Sequence, residues 1–594
     1  MKFEVLKRDC TARIGTLEIN GNKITTPHIL WYSSERVKAP PFASVFLSRA
    51  RDGLSISHSG SFFYPLSNGD SIPPSFVYPY ALPSELHEIA AEWNERHAST
   101  IQIISGKALD NISEDAMIYV LSNARELFSN PRNFVKAITD VREAIDYQKI
   151  LYAPGLGEPS HIAILSYCTV DLFDSISLVE KARKKIFLFP EDEYNADELG
   201  EIPCSCPACL NENLLFSGIL MHNYYAAFSE LKNVRNAIKN NRLRNLVEIR
   251  ASSQPKIASI LRILDREYYE FQEKRYPVIG GKIVASPLSM DRPDVERFRR
   301  RVLEQYIKPG SAKILVLLPC SARKPYSFSK SHRIFRNAIE SCGNPGVVHE
   351  VVVTSPLGIV PIELEMVYPA AHYDISVTGH WSLDEQEMVK KQLSSYLKRN
   401  DYDIVINHLP EEISEFLEVE GAIKTCIGHP ISNSSINSLS ILLKKEATKY
   451  GKIPKNLRKS ENVKSFLSYQ FGNVEGMLEG CKARGKYPGY KIFCDDVQIG
   501  MFVESKGLFS LTLEGGRRLA DAGIYRVEIE DFVPRGSIFA VGVTNSDKNI
   551  RCGDEVVALH GGDIRAVGMA LMSGEEMVMS NTGEAVKVRH HKKD

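Results

Sequence analysis

Residues 314–326 read ILVLLPCSARKPY, an unbroken apolar run of strand length that passes directly into a dense polar one. Apolar residues then recur with helical spacing over residues 334–339 and stop at Gly343, which predicts a helix that ends there. A strand, a polar loop and a helix in this order indicate an α/β domain. Loops at the carboxyl ends of such strands are where ligands bind. We therefore expect residues 319–332, the Cys320 loop, to line a functional site.

Cys320 is the candidate reactive group of this loop. A free cysteine is usually buried among apolar neighbours, whereas Cys320 is followed by a polar run whose burial is costly without a ligand. The positive end of the following helix, Arg323 and Lys324 should all favour the thiolate. These residues predict a chemical role for Cys320.

Composition sets limits on the class of protein. The chain has 594 residues, which indicates several domains. Its 73 basic and 73 acidic residues balance, so any nucleic-acid binding must rely on local patches. The chain shows no signal peptide and no apolar run of membrane-spanning length, which predicts a cytoplasmic protein without membrane contact. Eleven cysteines suit reduced thiols with metal or catalytic duties better than a disulfide framework.

A metal site is predicted by the set Cys204, Cys206, Cys209 and His222. Thiolates and an imidazole in this number fit a closed tetrahedral zinc site. Helical periodicity follows from His222 onward, so the metal should connect a loop to the start of a helix. Four protein ligands leave no position for a catalytic water, which predicts a structural role.

The same cluster, followed by the helix that contains residues 235–238 (RNAI), resembles the tRNA-guanine transglycosylase family. Residues 12–15 (ARIG) and 25–27 (TTP) resemble the opening strands of that family, and residues 170–175 (VDLFDS) resemble the strand that carries its nucleophilic aspartate. The resemblance implies a (β/α)₈ barrel with Asp174 in the place of the nucleophile. The alternative for Asp174 is a solvated or hydrogen-bonded residue at a strand end.

Two departures from that family are visible. His58 stands where a catalytic and base-contacting aspartate is expected, and the interval between this segment and Asp174 is much shorter than in full transglycosylases. We therefore expect residues 1–285 to form a degenerate TIM-like (β/α) barrel with the zinc site, in which base exchange is doubtful.

Three further domains are predicted, which makes the chain a multidomain α/β and α+β protein. Residues 286–410 form a central α/β domain with the motif PCSxxKPY, and residues 411–488 form a small connecting domain. The lysines of that connecting domain suit phosphates, although a solvated face explains them equally well. Residues 489–594 alternate as a small β-barrel and resemble the PUA domain in residues 552–557 (CGDEVV) and 583–590 (GEAVKVRH). A PUA domain implies RNA binding.

Together these parts resemble the archaeosine synthase family. The resemblance implies action on tRNA that carries 7-cyano-7-deazaguanine at position 15 of the D-loop. The nitrile would receive an amine, the side-chain nitrogen of lysine, on the way to the formamidine of archaeosine. It also implies a radical SAM lyase partner that cleaves the adduct. The resemblance to transglycosylases implies a homodimer formed through the zinc region.

The Cys320 loop suits this chemistry. A thiolate at Cys320 can add to the nitrile carbon, and an amine can then displace the sulfur. His332 is the candidate acid or base, and Lys324 would stabilise the developing negative charge. Ser321 and Ser331 are candidate hydrogen-bond donors, with a helix cap as the alternative for Ser331. Direct attack of the amine on the nitrile, with Cys320 only lining the pocket, is the alternative route.

Two other functions remain open. The first is a true tRNA-guanine transglycosylase that exchanges guanine for the deazapurine and uses Asp174 as its nucleophile. The second is a noncatalytic tRNA-binding subunit, for which the zinc and PUA elements suffice and the polar Cys320 loop has no explanation.

Overall fold

A computed structural model describes residues 1–19, 21–48, 55–57, 60–61, 64–65, 101–104, 109, 112–121, 123–211, 215–376, 379–472, 474 and 476–593. His58 lies outside the described residues. The chain divides into two compact units, Met1–Pro277 with Met579–Gly583, and Val278–Val578 with Glu584–Asp594. No helix of the described part has the length and apolar character needed to cross a lipid bilayer.

The first unit contains a parallel sheet of seven strands. In sheet order these strands are Ser55–Ser57, Phe46–Ser48, His28–Tyr32, Leu172–Asp174, Ile150–Tyr152, Ile118–Leu121 and Ile101–Ile104. Both faces of the central strands are buried, which is typical of parallel sheets covered by helices. The order is that of a half-barrel, and the described strands do not close into a ring.

Helices follow the strands Ile118–Leu121, Ile150–Tyr152 and Leu172–Asp174, and short antiparallel sheets accompany the parallel one. The helices are Ala124–Ser129, Pro131–Ala144, Pro159–Tyr167, Ile176–Arg183, Phe216–Lys239, Leu243–Ser253, Pro255–Glu267 and Tyr269–Glu273. The antiparallel strands are Lys2–Asp9 with Ala12–Ile19 and Asn22–Thr26, Ile186–Leu188 with Glu193–Asn195, and Gly60–Ser61 with Tyr64–Pro65. The predicted helix start at His222 is wrong, because the helix begins at Phe216 and His222 lies in its second turn.

The second unit begins with a five-stranded sheet that holds the Cys320 strand at its centre. In sheet order its strands are Gly358–Pro361, Val348–Thr354, Ile314–Pro319, Ile404–Asn407 and Ile423–Lys424, and only the first pair is antiparallel. The accompanying helices are Pro293–Glu304, Lys330–Glu340, Leu383–Arg399, Glu411–Ser414, Asn433–Ala447 and Lys455–Phe471. A short parallel pair joins Ile283–Val284 to Tyr373–Asp374.

Side chains of the Cys320 strand alternate between two hydrophobic clusters. Leu315 and Leu317 belong to one cluster, whereas Val316 packs with Leu439 and Leu443 of the helix Asn433–Ala447 in the other. Burial on both faces explains why residues 314–318 are apolar without alternation. The helix Asn433–Ala447 covers this sheet, although the domain boundary predicted at residue 410 would assign the helix and the sheet to different domains.

The remaining strands form two further sheets. An antiparallel sheet contains Cys481–Arg484, Lys491–Cys494, Val497–Val503 and Leu508–Leu511. A six-stranded sheet contains Ser537–Phe539, Glu584–His591, Asp563–Ala570, Glu555–His560, Arg526–Ile529 and Val543–Ser546, with helices Leu513–Asp521 and Gly574–Met579 nearby in sequence. The strands from residue 489 onward therefore belong to two sheets, and the β-barrel predicted for residues 489–594 is not confirmed.

One disulfide links Cys481 to Cys494 on neighbouring strands of the four-stranded sheet. These two cysteines depart from the reduced state expected for the thiols of this chain. The nine other cysteines are free.

Candidate functional site

The Cys320 loop connects the central strand of the five-stranded sheet to the helix Lys330–Glu340. Ser329 caps this helix, because its side chain accepts a hydrogen bond from the His332 backbone N–H at 3.2 Å. The capping role considered for Ser331 therefore belongs to Ser329. The Ser331 hydroxyl lies 3.2 Å from that of Ser329, and the Ser321 hydroxyl donates to the Arg323 carbonyl at 2.8 Å.

A pocket of about 400 Å³ opens beside Cys320. Its polar lining includes Cys320, Ser321, Ser331, Ser355, Glu385 and Glu412. Gly379, His380 and Trp381 complete one wall. The loops after neighbouring strands therefore meet at one edge of the sheet, as expected for an α/β domain. We call this cavity the Cys320 pocket.

The Cys320 thiol is half-buried. Burial raises the pKa of this thiol above its ordinary value, while a hydrogen bond with Thr354 and the charge of Lys324 act in the opposite direction. Desolvation is the largest effect, since a thiolate loses more solvation on burial than a thiol does. The low thiol pKa expected from the sequence is therefore not found, and the charge of Lys324 only reduces the rise in the pKa of Cys320.

Lys324 lies against an aromatic ring near the thiol. Its Nζ is 4.0 Å from the centre of the Tyr373 ring and has no hydrogen-bond partner among the described residues. Burial lowers the pKa of Lys324, and the nearby Cys320 raises it. The Tyr373 hydroxyl is 2.5 Å from the Thr354 hydroxyl and 2.7 Å from that of Tyr326. The ammonium group is buried and does not line the Cys320 pocket, so it acts on the thiol through its charge.

Lys324→Met is expected to slow the alkylation of Cys320 by iodoacetamide about tenfold at pH 8, because loss of the nearby cation should raise the pKa of the thiol further. Wild-type alkylation should accelerate steadily as pH rises towards the raised pKa. Mass spectrometry of the Cys320 peptide measures both rates. Lys330→Met, which changes an exposed lysine of the same loop, is the control. Equal rates for the wild type and Lys324→Met would contradict the electrostatic role.

His332 lies beneath the loop and does not line the Cys320 pocket. Its side chain is buried, and Nε2 lies 3.0 Å from the Pro319 carbonyl oxygen. Burial lowers the pKa of His332 to about 4, so the ring is neutral at pH 7 and Nε2–H donates to that carbonyl. The imidazole thus holds the end of the Cys320 strand against the following helix.

The predicted metal ligands come together in the first unit. The ligand atoms of Cys204, Cys206, Cys209 and His222 all lie within 4.8 Å of one another. Cys209 Sγ is 3.2 Å from His222 Nδ1 and 3.5 Å from Cys206 Sγ, close to the spacing in a tetrahedral site with bonds of about 2.0–2.3 Å. His222 Nε2 is 3.1 Å from the Leu188 carbonyl oxygen, an arrangement that leaves Nδ1 for a metal. The four residues therefore fit a tetrahedral metal ion.

Asp174 ends the strand Leu172–Asp174 and is fully buried. Its Oδ2 accepts hydrogen bonds from the Tyr152 hydroxyl at 2.6 Å and the Gly155 N–H at 2.7 Å. Its Oδ1 accepts from the Ile176 N–H at 2.9 Å. Burial raises the pKa of this carboxyl group even though all three hydrogen bonds lower it. In this arrangement the carboxylate holds the strand end and the following helix together.

Several residues around Cys320 were not individually predicted as site residues. Glu385 and Glu412 line the pocket, and Thr354 and Tyr373 stand beside the thiol. Glu385 also accepts a hydrogen bond from the Ser355 hydroxyl at 2.6 Å. The only sequence signal for these positions is the density of polar and aromatic residues in the turns after residues 353 and 372.

Family models match three parts of the chain. Residues 104–256 match the model described as Queuine tRNA-ribosyltransferase, and residues 524–592 match the PUA domain. Residues 295–443, which contain the Cys320 pocket, match a domain of unknown function, DUF5591. The transglycosylase-like and PUA parts predicted from the sequence are confirmed.

Curated relatives extend over the whole chain. A protein from Haloferax volcanii named archaeosine synthase is 34% identical over 99% of this chain and 99% of its own length. The chain belongs to the archaeosine synthase family. The archaeosine synthase subunit alpha of Methanosarcina acetivorans is 34% identical over 88% of each chain. A tRNA-guanine(15) transglycosylase of Methanothermobacter thermautotrophicus is 29% identical over 77% of this chain and 68% of its own.

Proposed function

We propose that this protein attaches the side-chain nitrogen of lysine to the nitrile of 7-cyano-7-deazaguanine at position 15 of tRNA. The observation that carries the proposal is a half-buried, free thiol at the carboxyl edge of the sheet, inside a pocket, in a member of the archaeosine synthase family. We expect the reaction to take place in the cytoplasm, because its substrate is tRNA. The PUA part supports contact with that RNA.

The charge of the Cys320 pocket supports an amine as the second substrate. Glu385 and Glu412 are among its described lining residues, which include no lysine or arginine. Trp381 adds an aromatic surface, and aromatic rings attract cations. An ammonium group is therefore favoured over an anion in this pocket. A carboxylate at this position can also accept the proton that the ammonium must lose before it attacks.

The chemistry is an exchange on carbon in two steps. The Cys320 thiolate adds to the nitrile carbon, and the nitrile nitrogen takes up one proton, which gives a thioimidate. The amine nitrogen then adds to the same carbon, the carbon–sulfur bond breaks, and the thiolate is restored as the amine loses a proton. Lys324, whose charge acts on Cys320, stabilises negative charge on the sulfur. Ser321 and Ser331 supply hydrogen bonds at the pocket wall.

His332 takes a different part in this mechanism from the acid or base role predicted for it. Because its Nε2–H donates to Pro319 and the ring lies outside the pocket, we assign it the role of a positioning residue. The proton transfers then fall to Glu385, Glu412 and the nitrile itself.

Other parts of the proposal concern cofactor and partners. We propose that zinc is the ion held by Cys204, Cys206, Cys209 and His222, since thiolate and imidazole ligands suit it. A radical SAM lyase would cleave the lysine adduct, and a homodimer would form through the zinc region. Zinc in this place has a structural role, because all four positions are taken by protein ligands.

Mass analysis of tRNA tests the proposed reaction. Nitrile-bearing tRNA is incubated with the protein and lysine labelled with ¹⁵N at its side-chain nitrogen, and its nucleosides are then separated. The expected product has the mass of the nitrile nucleoside plus one intact lysine. Alanine, which has no side-chain amine, is the matched control. No change in nucleoside mass would indicate a tRNA-binding subunit instead.

Asp174→Asn distinguishes amine transfer from base exchange. We expect the variant to retain lysine attachment within about twofold, because Asp174 is a buried strand-end residue with three donors. Its stability should fall by about 1–3 kcal/mol, since the amide cannot accept all three hydrogen bonds. Adduct formation and thermal unfolding measure the two effects. If the wild type releases labelled guanine from tRNA and Asp174→Asn does not, the result would support the transglycosylase function.

A further inference from the structure

A second cavity lies in the same unit as the Cys320 pocket and shares no lining residue with it. Its volume is about 570 Å³, within the range of about 300–1,000 Å³ that proteins use for small ligands. The walls come from the helices Lys330–Glu340 and Lys455–Phe471 and from the strand Val348–Thr354. We call this cavity the Arg336 pocket. It has no part in the mechanism described above.

The first notable feature of this pocket is an unpaired cation. Arg336 is half-buried, and its guanidinium makes no hydrogen bond or ion pair with any residue that the structure describes. Lys452 and Lys455 stand nearby along the same cavity, whereas Arg458, which also lines it, is ion-paired with Glu363. The helix Lys455–Phe471 begins here with Pro454 as its cap and no side-chain hydrogen bond to its first N–H groups. Despite burial, the charges of Glu350 and Glu365 raise the pKa of Arg336 and keep it charged, but they leave its N–H donors without a hydrogen bond among the described residues. These donors and the free helix N–H groups together favour an anion.

The second feature is a pair of unpaired acceptors. Glu350 Oε2 and Asn462 Oδ1 are both buried without a hydrogen-bond partner in the described part of the chain, and both residues line the cavity. Burial raises the pKa of Glu350 to about 7. Leaving such acceptors unsatisfied is costly, so a ligand that carries N–H donors would stabilise this arrangement.

The third feature is an aromatic wall. Tyr487 and Tyr490 line the cavity just before the strand Lys491–Cys494, with their ring centres 6.0 Å apart. Aromatic side chains provide stacking surfaces for nucleic-acid bases. An anion site, adjacent N–H acceptors and an aromatic surface are the three recognition elements of a nucleotide.

We infer that the Arg336 pocket binds a guanine nucleotide. Its phosphate would lie on Arg336 and the start of the helix Lys455–Phe471, and its base would contact the aromatic wall. The N1–H and the 2-amino group of guanine would donate to Glu350, an edge that adenine lacks. The nucleotide is either free in solution or an unpaired guanosine of the bound RNA. A free amino acid shares the anion and the N–H donors but has no surface for the aromatic wall.

Saturation-transfer NMR on the full-length protein tests this inference with GMP, guanosine, AMP and lysine as probes. We expect GMP to bind, and guanosine and AMP to bind at least about tenfold more weakly, because each lacks one recognition element. Arg336→Gln should weaken the binding of GMP about tenfold and leave the binding of guanosine unchanged. Glu350→Gln should remove the preference for GMP over AMP. Glu387→Gln, an exposed glutamate outside the cavity, is the control.

The outcomes separate the possible ligands. Displacement of GMP by tRNA identifies an RNA nucleotide as the natural ligand, whereas simultaneous binding of both identifies a free nucleotide. Absence of a GMP signal, or displacement of GMP by lysine, would overturn the inference. If either buried variant lowers the melting temperature, the exposed Lys452→Ala keeps the test decisive, since it should weaken GMP and spare guanosine. The assay involves no adduct formation, so its result is independent of the reaction proposed at Cys320.

Discussion

Replacing Cys320 by alanine should reduce lysine attachment to nitrile-bearing tRNA by at least about a thousandfold, a loss typical of removing a nucleophile. The physical reason is that a nitrile carbon is a weak electrophile, and the sulfur divides one difficult addition into two easier ones. Because Cys320 sits at the end of a strand with a half-buried side chain, alanine fits its place without disturbing the sheet. The variant should therefore keep the melting temperature of the wild type.

The measurement is the rate of adduct formation by mass spectrometry of nucleosides, at saturating lysine. A second readout is the wild-type covalent complex between protein and tRNA, which should accumulate when lysine is omitted and disappear in Cys320→Ala. Cys426→Ala is the matched control, because it removes another half-buried thiol of the same unit that does not line the pocket. Full activity of Cys320→Ala would eliminate the covalent route and leave direct attack by the amine.

Loss of the metal is the second change with a large expected effect. Cys206→Ser should lower the bound zinc from one ion per chain to nearly none and lower the unfolding temperature of the first unit by about 10 °C or more. Structural zinc sites contribute binding free energies of about 10–16 kcal/mol in small domains, comparable with the total stability of a domain, about 5–15 kcal/mol. The ion would connect the loop 204–209 to the helix Phe216–Lys239, so its loss should destabilise the packing of the loop against the helix.

Zinc content by mass spectrometry and thermal unfolding by calorimetry measure this prediction. A strong chelator should reproduce the effect on the wild type, and added zinc, but not magnesium, should reverse it. Cys168→Ala is the control, since this buried thiol belongs to the same unit and lies outside the cluster. Unchanged stability of metal-free protein would show that the four side chains hold this region without an ion.

Local sequence was sufficient where the required information is local. Hydrophobic periodicity fixed the helix Lys330–Glu340 and the strand Ile314–Pro319 to within a few residues, because a buried face needs apolar side chains at regular spacing. Four metal ligands are recognisable because their side-chain chemistry and number match one geometry. The resemblance of residues 170–175 to a transglycosylase strand correctly indicated a parallel sheet in the first unit.

Properties that depend on residues far apart in the sequence could not be predicted from local sequence. Sequence alone placed a thiolate at Cys320, whereas tertiary packing buries the sulfur and raises its pKa, because desolvation outweighs the charge of Lys324. In the sequence, His332 lies close to Cys320 and suits an acid or base role. In the structure, its Nε2–H donates to the Pro319 carbonyl instead. Asp174 likewise becomes a buried strand-end residue once Tyr152 and Gly155 approach it.

By itself, the sequence determined which parts the protein has: a parallel sheet with four metal ligands, an α/β domain with the Cys320 loop, and a PUA part. Only the tertiary structure decided which side chains share a pocket, because Glu385 and Glu412 line the Cys320 pocket from the first turns of two other helices. It also brought Arg336 and Glu350 to one second cavity, where neither the Arg336 guanidinium nor Glu350 Oε2 has a hydrogen-bond partner among the described residues. The physical reason is that burial and electrostatic fields depend on every neighbour in space, and most of these neighbours are far away along the chain.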